Sequence, residues 1–305
     1  MEFFQGVEFV RLRSWEHGTY VTADEDGRSV LLGSGYARGA VWAVEPLLAA
    51  GPPPVLHVRF RGAYGRYLGV PGAGERRCGG GCGCCFPLPS RCCLLGAAQL
   101  DRGEEEVGVL IWRPIRCADD VIADHDARGV VLLRDGVFRY LHGGGGVSVD
   151  GNVNDDTTLR WEVVAVPRTH DMPDLPIEVP DFRLLFRGNL FVRACFPRPL
   201  QREIRFVAAN DDGTIAAGEE DWTSFQFTGR SVGRLTAELA SRVGYDVMAC
   251  VCAGNHGAIT PLLIDLPRSR ETLRIVLLRH STPGYDQMIF PDMNALYEVA
   301  TPTIQ

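Results

Sequence analysis

Val10–Ala23 reads VRLRSWEHGTYVTA, and the chain writes this pattern three times. Val58–Val70 is VRFRGAYGRYLGV, and Val131–Leu141 is VLLRDGVFRYL. Each copy has an apolar–Arg strand, a short turn with Gly or Asp, and a Tyr (Tyr20, Tyr67, Tyr140) that opens a second strand. Each is followed by a tryptophan strand: Trp42 in AVWAVEPL, Trp112 in LIWRPI and Trp161 in LRWEVVAV. Side chains alternate along a strand, so Val10 and Leu12 face one way and Arg11 and Arg13 the other. The second copy repeats this with Val58 and Phe60 against Arg59 and Arg61, and the third keeps only Arg134. This is the pattern of half-buried antiparallel strands. Three equivalent strands that converge on one core place Trp42, Trp112 and Trp161 inside it, with the tyrosines at matching positions. The alternative is an exposed aromatic cluster for sugar stacking.

The 305 residues suffice for two domains. Hydrophobic residues make up 46% and charged ones 23%, the balance of a soluble globular protein. No run approaches the roughly 18 apolar residues that span a bilayer. MEFFQGVEFVRLR lacks the basic and apolar regions of a secretory signal, so a cytoplasmic protein with no membrane partner is expected. Net charge is −7 and neither half is strongly basic, which argues against nucleic acid as a partner. All 31 basic residues are Arg. Without lysine there is no Schiff-base or P-loop chemistry and no regulation by lysine acetylation.

Between repeats lies AAGPPP, Ala49–Pro54, and Asp24-Glu25-Asp26-Gly27 reads as a hairpin turn rather than a calcium loop. The second repeat carries an insertion, GAGERRCGGGCGCCFPLPSR at Gly72–Arg91. Cys78, Cys82, Cys84 and Cys85, with Cys92 and Cys93 after it, raise a metal-binding alternative. The spacing has no C-x2-C knuckle and no nearby His, so a Gly/Cys-rich loop is the preferred reading. Asp119, Asp120, Asp124, His125 and Asp126 read as a solvated loop. Gly143–Gly146 is a turn, lacking the helix start and GK[ST] ending of a phosphate cradle. No cofactor is implied. Cys117, Cys195, Cys250 and Cys252 sit in apolar strands and read as packing residues.

Residues 167–181, PRTHDMPDLPIEVPD, mark a Pro-rich linker that separates domains 1–166 and 182–305. Past it, Phe182–Leu200 reads as short strands. Strands are then expected at Arg202–Ala209, Ser224–Thr228, Val247–Cys252, Ile259–Asp265 and Leu273–Leu278. Ser231–Val243 is the one helix, capped by Ser231 and stopped by Gly244, with Val232, Leu235, Leu239 and Val243 on one face. That α+β order is compatible with a β-grasp, ubiquitin-like unit.

The three repeats look like a fascin-like β-trefoil. MEFF at the start, VRLRS at Val10–Ser14, GRYL at Gly65–Leu68, WRPI at Trp112–Ile115 and WEVVAV at Trp161–Val166 resemble the plant family of domain of unknown function 569. Its members carry an actin cross-linking label. GRSVGRLTAELASRVG, with the strands around it, resembles that family's second, ubiquitin-like domain. The chain departs from its relatives in the Gly/Cys-rich insertion and in the absence of lysine.

The resemblance implies a non-catalytic binding protein with a protein partner, actin filaments being the named candidate. One trefoil supplies one filament site, so cross-linking would need a dimer or the second domain. Arg11, Arg13, Arg59 and Arg61 are the candidate binding residues, an exposed basic stripe for an acidic surface. The competing reading pairs them with Asp24, Glu25 or Glu45. An adaptor that acts through edge strands of the ubiquitin-like domain is an alternative. A sugar-binding trefoil is another, disfavoured in its ricin type because no Q-x-W recurs. No G-x-S-x-G or H-E-x-x-H occurs and His17, His57, His142, His170, His256 and His280 are scattered, so an enzyme is not expected.

Overall fold

The computed structural model describes residues 4–49, 55–71, 95–101, 107–117, 129–151, 157–177, 200–215, 218–252 and 259–295. In chain order the strands of the first part are β1 (Phe9–Ser14), β2 (Tyr20–Ala23), β3 (Val30–Gly33), β4 (Trp42–Ala49), β5 (Val55–Arg61), β6 (Tyr67–Gly69), β7 (Leu95–Gly96) and β8 (Ala98–Leu100). They continue with β9 (Arg113–Arg116), β10 (Val130–Arg134), β11 (Tyr140–His142), β12 (Ser148–Asp150), β13 (Trp161–Val166) and β14 (Arg168–Thr169).

Six of these strands close a ring. β13 pairs with β1, β1 with β4, β4 with β5, and β9 and β13 each with β10. The ring shuts where Val58 and Trp112 exchange backbone bonds of 2.8 and 2.9 Å. Closure leaves no free edge in the barrel. Three short pairs, β2–β3, β6–β8 and β11–β12, extend from it. A barrel with three equivalent hairpin pairs is a β-trefoil, as the repeats predict.

Trp42, Trp112 and Trp161 are fully buried in one cluster with Val10, Leu12, Phe60, Leu68, Leu133 and Leu141. Each indole donates to the residue just after a repeat tyrosine. Trp42 Nε1 reaches the Val21 carbonyl at 2.9 Å, Trp112 Nε1 the Leu68 carbonyl at 2.9 Å, and Trp161 Nε1 the Leu141 carbonyl at 3.0 Å. A buried carbonyl without a partner is costly, so these bonds fix each hairpin to its own tryptophan. The glycines nearby leave room for the rings. A Cβ on Gly143 would lie 2.7 Å from the Trp161 ring and one on Gly62 3.0 Å from that of Trp42. The tyrosines differ: Tyr67 is buried, whereas Tyr20 and Tyr140 are half-buried.

The second part holds β15 (Gln201–Ala208), β16 (Thr223–Thr228), α1 (Val232–Val243), β17 (Val247–Cys252), β18 (Ile259–Pro261), β19 (Leu273–Arg279), α2 (Pro283–Asp286) and β20 (Phe290–Pro291). Its sheet order is β16-β15-β19-β17-β18, with the central pair β15–β19 parallel and its neighbours antiparallel. That is the β-grasp order. Ser231 Oγ accepts from Arg234 N at 3.2 Å, and Gly244, at φ 81°, donates to the Ala240 carbonyl. Val232, Leu235 and Leu239 are buried.

The chain forms two compact units, one of Met1–Pro173, Cys252–Thr260 and Ile289–Gln305, the other of Asp174–Val251 and Pro261–Met288. The sequence draws its boundary at the Pro-rich stretch 167–181, and the division between the units after Pro173 falls inside that stretch. Inside the expected linker, β14 pairs with β20, and Asp292 N donates to the Pro167 carbonyl at 2.8 Å. β20 therefore joins the trefoil unit, a long-range pairing that local composition does not reveal. β18 is also shorter than expected, ending at Pro261. Phe182–Pro199, the Gly/Cys insertion and the cluster Asp119–Asp126 lie outside the described residues.

Candidate functional site

Each hairpin of the trefoil turns on the same device. The last Arg of the barrel strand faces the tyrosine that opens the next: Arg13 with Tyr20, Arg61 with Tyr67, Arg134 with Tyr140. The residue two before that tyrosine takes a left-handed conformation. It is Gly18 at φ 65° in the first repeat and Gly65 at φ 74° in the second. In the third it is Phe138, at φ 69°. A non-glycine residue there is held against a cost of roughly 1–2 kcal/mol.

Asp135 supplies the restraint. Its buried carboxylate accepts from Val137 N at 3.0 Å, Arg139 N at 2.8 Å and Arg139 Nε at 2.8 Å. The backbone closes the turn, with Asp135 N donating to the Arg139 carbonyl at 2.8 Å. The result is a rigid tip whose Val137 and Phe138 are 59% and 68% exposed. Val137 and Phe138 are functional candidates that reading the sequence missed. Aligning the three turns on their left-handed position would have found the Phe where two glycines stand.

The four arginines proposed as an exposed stripe do not form one. Arg11 and Arg59 are buried, at 4% and 7% exposure. Arg11 donates to the Gly35 carbonyl at 3.2 Å and lies 5.2 Å from the Tyr20 ring centroid. Gly35 permits this approach, since a Cβ there would lie 2.5 Å from that ring. Arg13 is exposed and pairs with Glu162 at 2.8 Å; that hydrogen bond, ahead of the opposing effect of burial, raises the pKa of the guanidinium. Arg61 pairs with Glu45 at 2.9 Å and also donates to the Ile259 carbonyl at 3.3 Å and to Thr260 Oγ1. Glu45 in turn accepts from Tyr67 Oη at 3.0 Å. The alternation places these arginines opposite the core, but that face is itself partly covered, at Arg11 by Gly35 and the Tyr20 ring.

No group of three or more His, Cys, Asp or Glu side chains placed for a metal occurs among the described residues. The six cysteines of the metal alternative, Cys78, Cys82, Cys84, Cys85, Cys92 and Cys93, lie outside them. Cys250 is fully buried, and burial pushes its thiol far up, away from reactivity. Burial also raises the Cys117 thiol, with Arg160 opposing. No helix among the described residues is long and apolar enough to cross a membrane.

A closed barrel with threefold tryptophans, followed by a β-grasp sheet, defines a mainly β protein that joins a β-trefoil to a ubiquitin-like unit. The chain belongs to the DUF569 family: residues 1–76 match the "Beta-trefoil domain of unknown function (DUF569)" and residues 200–278 the "DUF569 associated ubiquitin-like domain". No curated protein matches the chain. Among solved structures it is similar to SeviL bound to the asialo-GM1 saccharide, at 12% identity and TM-score 0.34, over 52% of this chain and 98% of that one. A ricin B-like lectin from Macrolepiota procera in complex with lactose gives 13% and 0.33, over 52% and 95%. The SDF2-like protein from Arabidopsis thaliana gives 13% and 0.35, over 52% and 92%. Likeness this slight carries no argument about ligand or mechanism.

Proposed function

We propose that this protein is a non-catalytic binding protein whose trefoil engages a protein partner through the third hairpin, with the actin filament as the partner to test first. The carrying observation is the exposed pair Val137–Phe138, fixed by Asp135 in a conformation that the other two hairpins leave to glycine. A turn that only connects strands has no use for a strained, exposed aromatic; rigid aromatic anchors are what protein interfaces use. The basic stripe is withdrawn as the contact surface, because two of its arginines are buried and two are ion-paired.

The test is co-sedimentation of the full chain with actin filaments at low and physiological salt. Saturable pelleting that Phe138→Gly abolishes, in a variant with an unchanged urea midpoint, supports the hairpin. Pelleting indifferent to Phe138→Gly removes it, and no pelleting at either salt removes the filament. A saccharide is the second reading, because the open face of the Phe138 ring also suits a pyranose; the three core tryptophans, fully buried, do not. Saccharide binding that Phe138→Gly abolishes, in a chain that pellets with no filament, would favour it.

A further inference from the structure

Across the base of each hairpin the ladders align four residues on one face. The rows are Glu162–Arg13–Tyr20–Gly33, Ala43–Arg61–Tyr67–Leu100 and Arg113–Arg134–Tyr140–Asp150. Residues directly opposite in an antiparallel pair have Cβ atoms about 4.5–5.5 Å apart, and like charges there repel. The first two rows neutralise their central arginine, Arg13 with Glu162 and Arg61 with Glu45 reaching in from the same strand as Ala43. The third does the reverse. Arg113 stands where Glu162 and Ala43 stand, and neither Arg113 nor Arg134 makes an ion pair among the described residues.

Two nearby acids do not relieve this. The Asp135 carboxylate is taken up by its own turn and Arg139. Asp150 is two strands from Arg134, about 10 Å by strand spacing. The Arg134 guanidinium instead lies 4.9 Å from the Phe138 ring centroid, which orients it beside the exposed tip. Two adjacent forked donors, one of them stacked, sit next to two exposed apolar side chains.

We propose that Arg113 and Arg134 form a clamp for a carboxylate, which receives an Asp or Glu side chain of an acidic protein segment while an adjacent aliphatic residue of that segment packs on Val137 and Phe138. This rests on the third hairpin being the docking surface. Planar guanidinium forks match carboxylate geometry bidentately, and the apolar tip asks for a flank that an inorganic anion lacks.

The probe is a dye-labelled peptide, Ser-Leu-Glu-Glu-Leu-Ser, titrated with the full chain by fluorescence anisotropy. Its Gln-Gln counterpart, a phosphoserine counterpart and sialyllactose serve as competitors. The clamp requires that the Gln peptide bind at least tenfold more weakly, that affinity fall with salt, and that Arg113→Gln and Arg134→Gln each lose about tenfold with unchanged urea midpoints. Equal binding of Glu and Gln peptides, both abolished by Phe138→Gly, would overturn the clamp and leave the hairpin reading standing. Loss with the Arg variants but not with Phe138→Gly would keep the clamp and remove the apolar anchor. Preference for the phosphoserine peptide or for sialyllactose over the Glu peptide, or no binding up to millimolar peptide, also overturns it.

Discussion

Trp112→Ala removes a side chain with no exposed surface from the point where the barrel closes on itself. Two losses add. Deleting a buried aromatic down to Ala costs about 3–5 kcal/mol in transfer and residual cavity. The Leu68 carbonyl, 2.9 Å from the indole nitrogen, also loses its donor. Trp112→Phe keeps most of the volume and isolates the second loss, expected at about 1–3 kcal/mol. Urea unfolding should be followed by tryptophan fluorescence in a Trp222→Phe background, so that the signal comes from the trefoil unit alone. With a slope of about 2 kcal/mol/M, the two losses together should shift the midpoint of the Ala variant down by about 2–4 M. Trp15, 37% exposed, is the internal control, and Trp15→Ala should shift it by well under half of that. Equal shifts for Trp15→Ala and Trp112→Ala, or no shift for Trp112→Ala, would refute the threefold core.

Arg11→Met should leave the melting temperature unchanged or raise it, because it replaces a buried cation whose Nε has no partner. Arg13→Gln should cost no more than about 1 kcal/mol, since its pair with Glu162 is solvent-exposed. Burial acts to raise the Asp26 carboxyl, but bonds from Ser29 Oγ, Ser29 N and Arg28 N outweigh it and hold the pKa below its ordinary 3.8. The ionised form is thus favoured in the fold, so its stabilisation is present above about pH 4 and fades as pH falls through the lowered value. Asp26→Asn should flatten that acid limb in a stability–pH series. Gly284→Ala should destabilise the ubiquitin-like unit by several kcal/mol in a denaturant titration, because a Cβ there would lie 2.4 Å from Gly213 N, backbone that has no side chain to swing aside.

What the residue pattern revealed, and what it hid, divides along the range of the interactions. The threefold repeat, the tryptophan core, the capped helix at Val232–Val243 and the order of the second unit follow from local spacing, and all were readable. The pairing of Arg168–Thr169 with Phe290–Pro291 joins segments far apart in the chain, and a proline-rich stretch conceals it. Alternation placed Arg11 and Arg59 opposite the core but could not say what covers that side; Gly35 and the Tyr20 ring cover Arg11. Arg113 sits in a plain apolar strand, WRPI. Only the register that sets it against Arg134 exposes the missing acid. Phe138 was hidden in RDGVFRYL because its significance is a backbone angle, not a side-chain type.

The bond from each indole to its hairpin also bears on how this chain tolerates length. The bonded partners are 21 positions apart in the first repeat and 20 in the third, but 44 in the second, where the Gly/Cys-rich insertion falls. The entropy of closing a loop grows only with the logarithm of its length, so this difference costs about 0.7 kcal/mol. That is less than one such buried bond contributes against leaving its carbonyl unsatisfied. Each repeat is thus latched locally, and a segment spliced in between the latched partners need not be compensated elsewhere in the barrel. The trefoil is free to vary between its hairpins over evolutionary time while the closure at Val58 and Trp112 keeps its register.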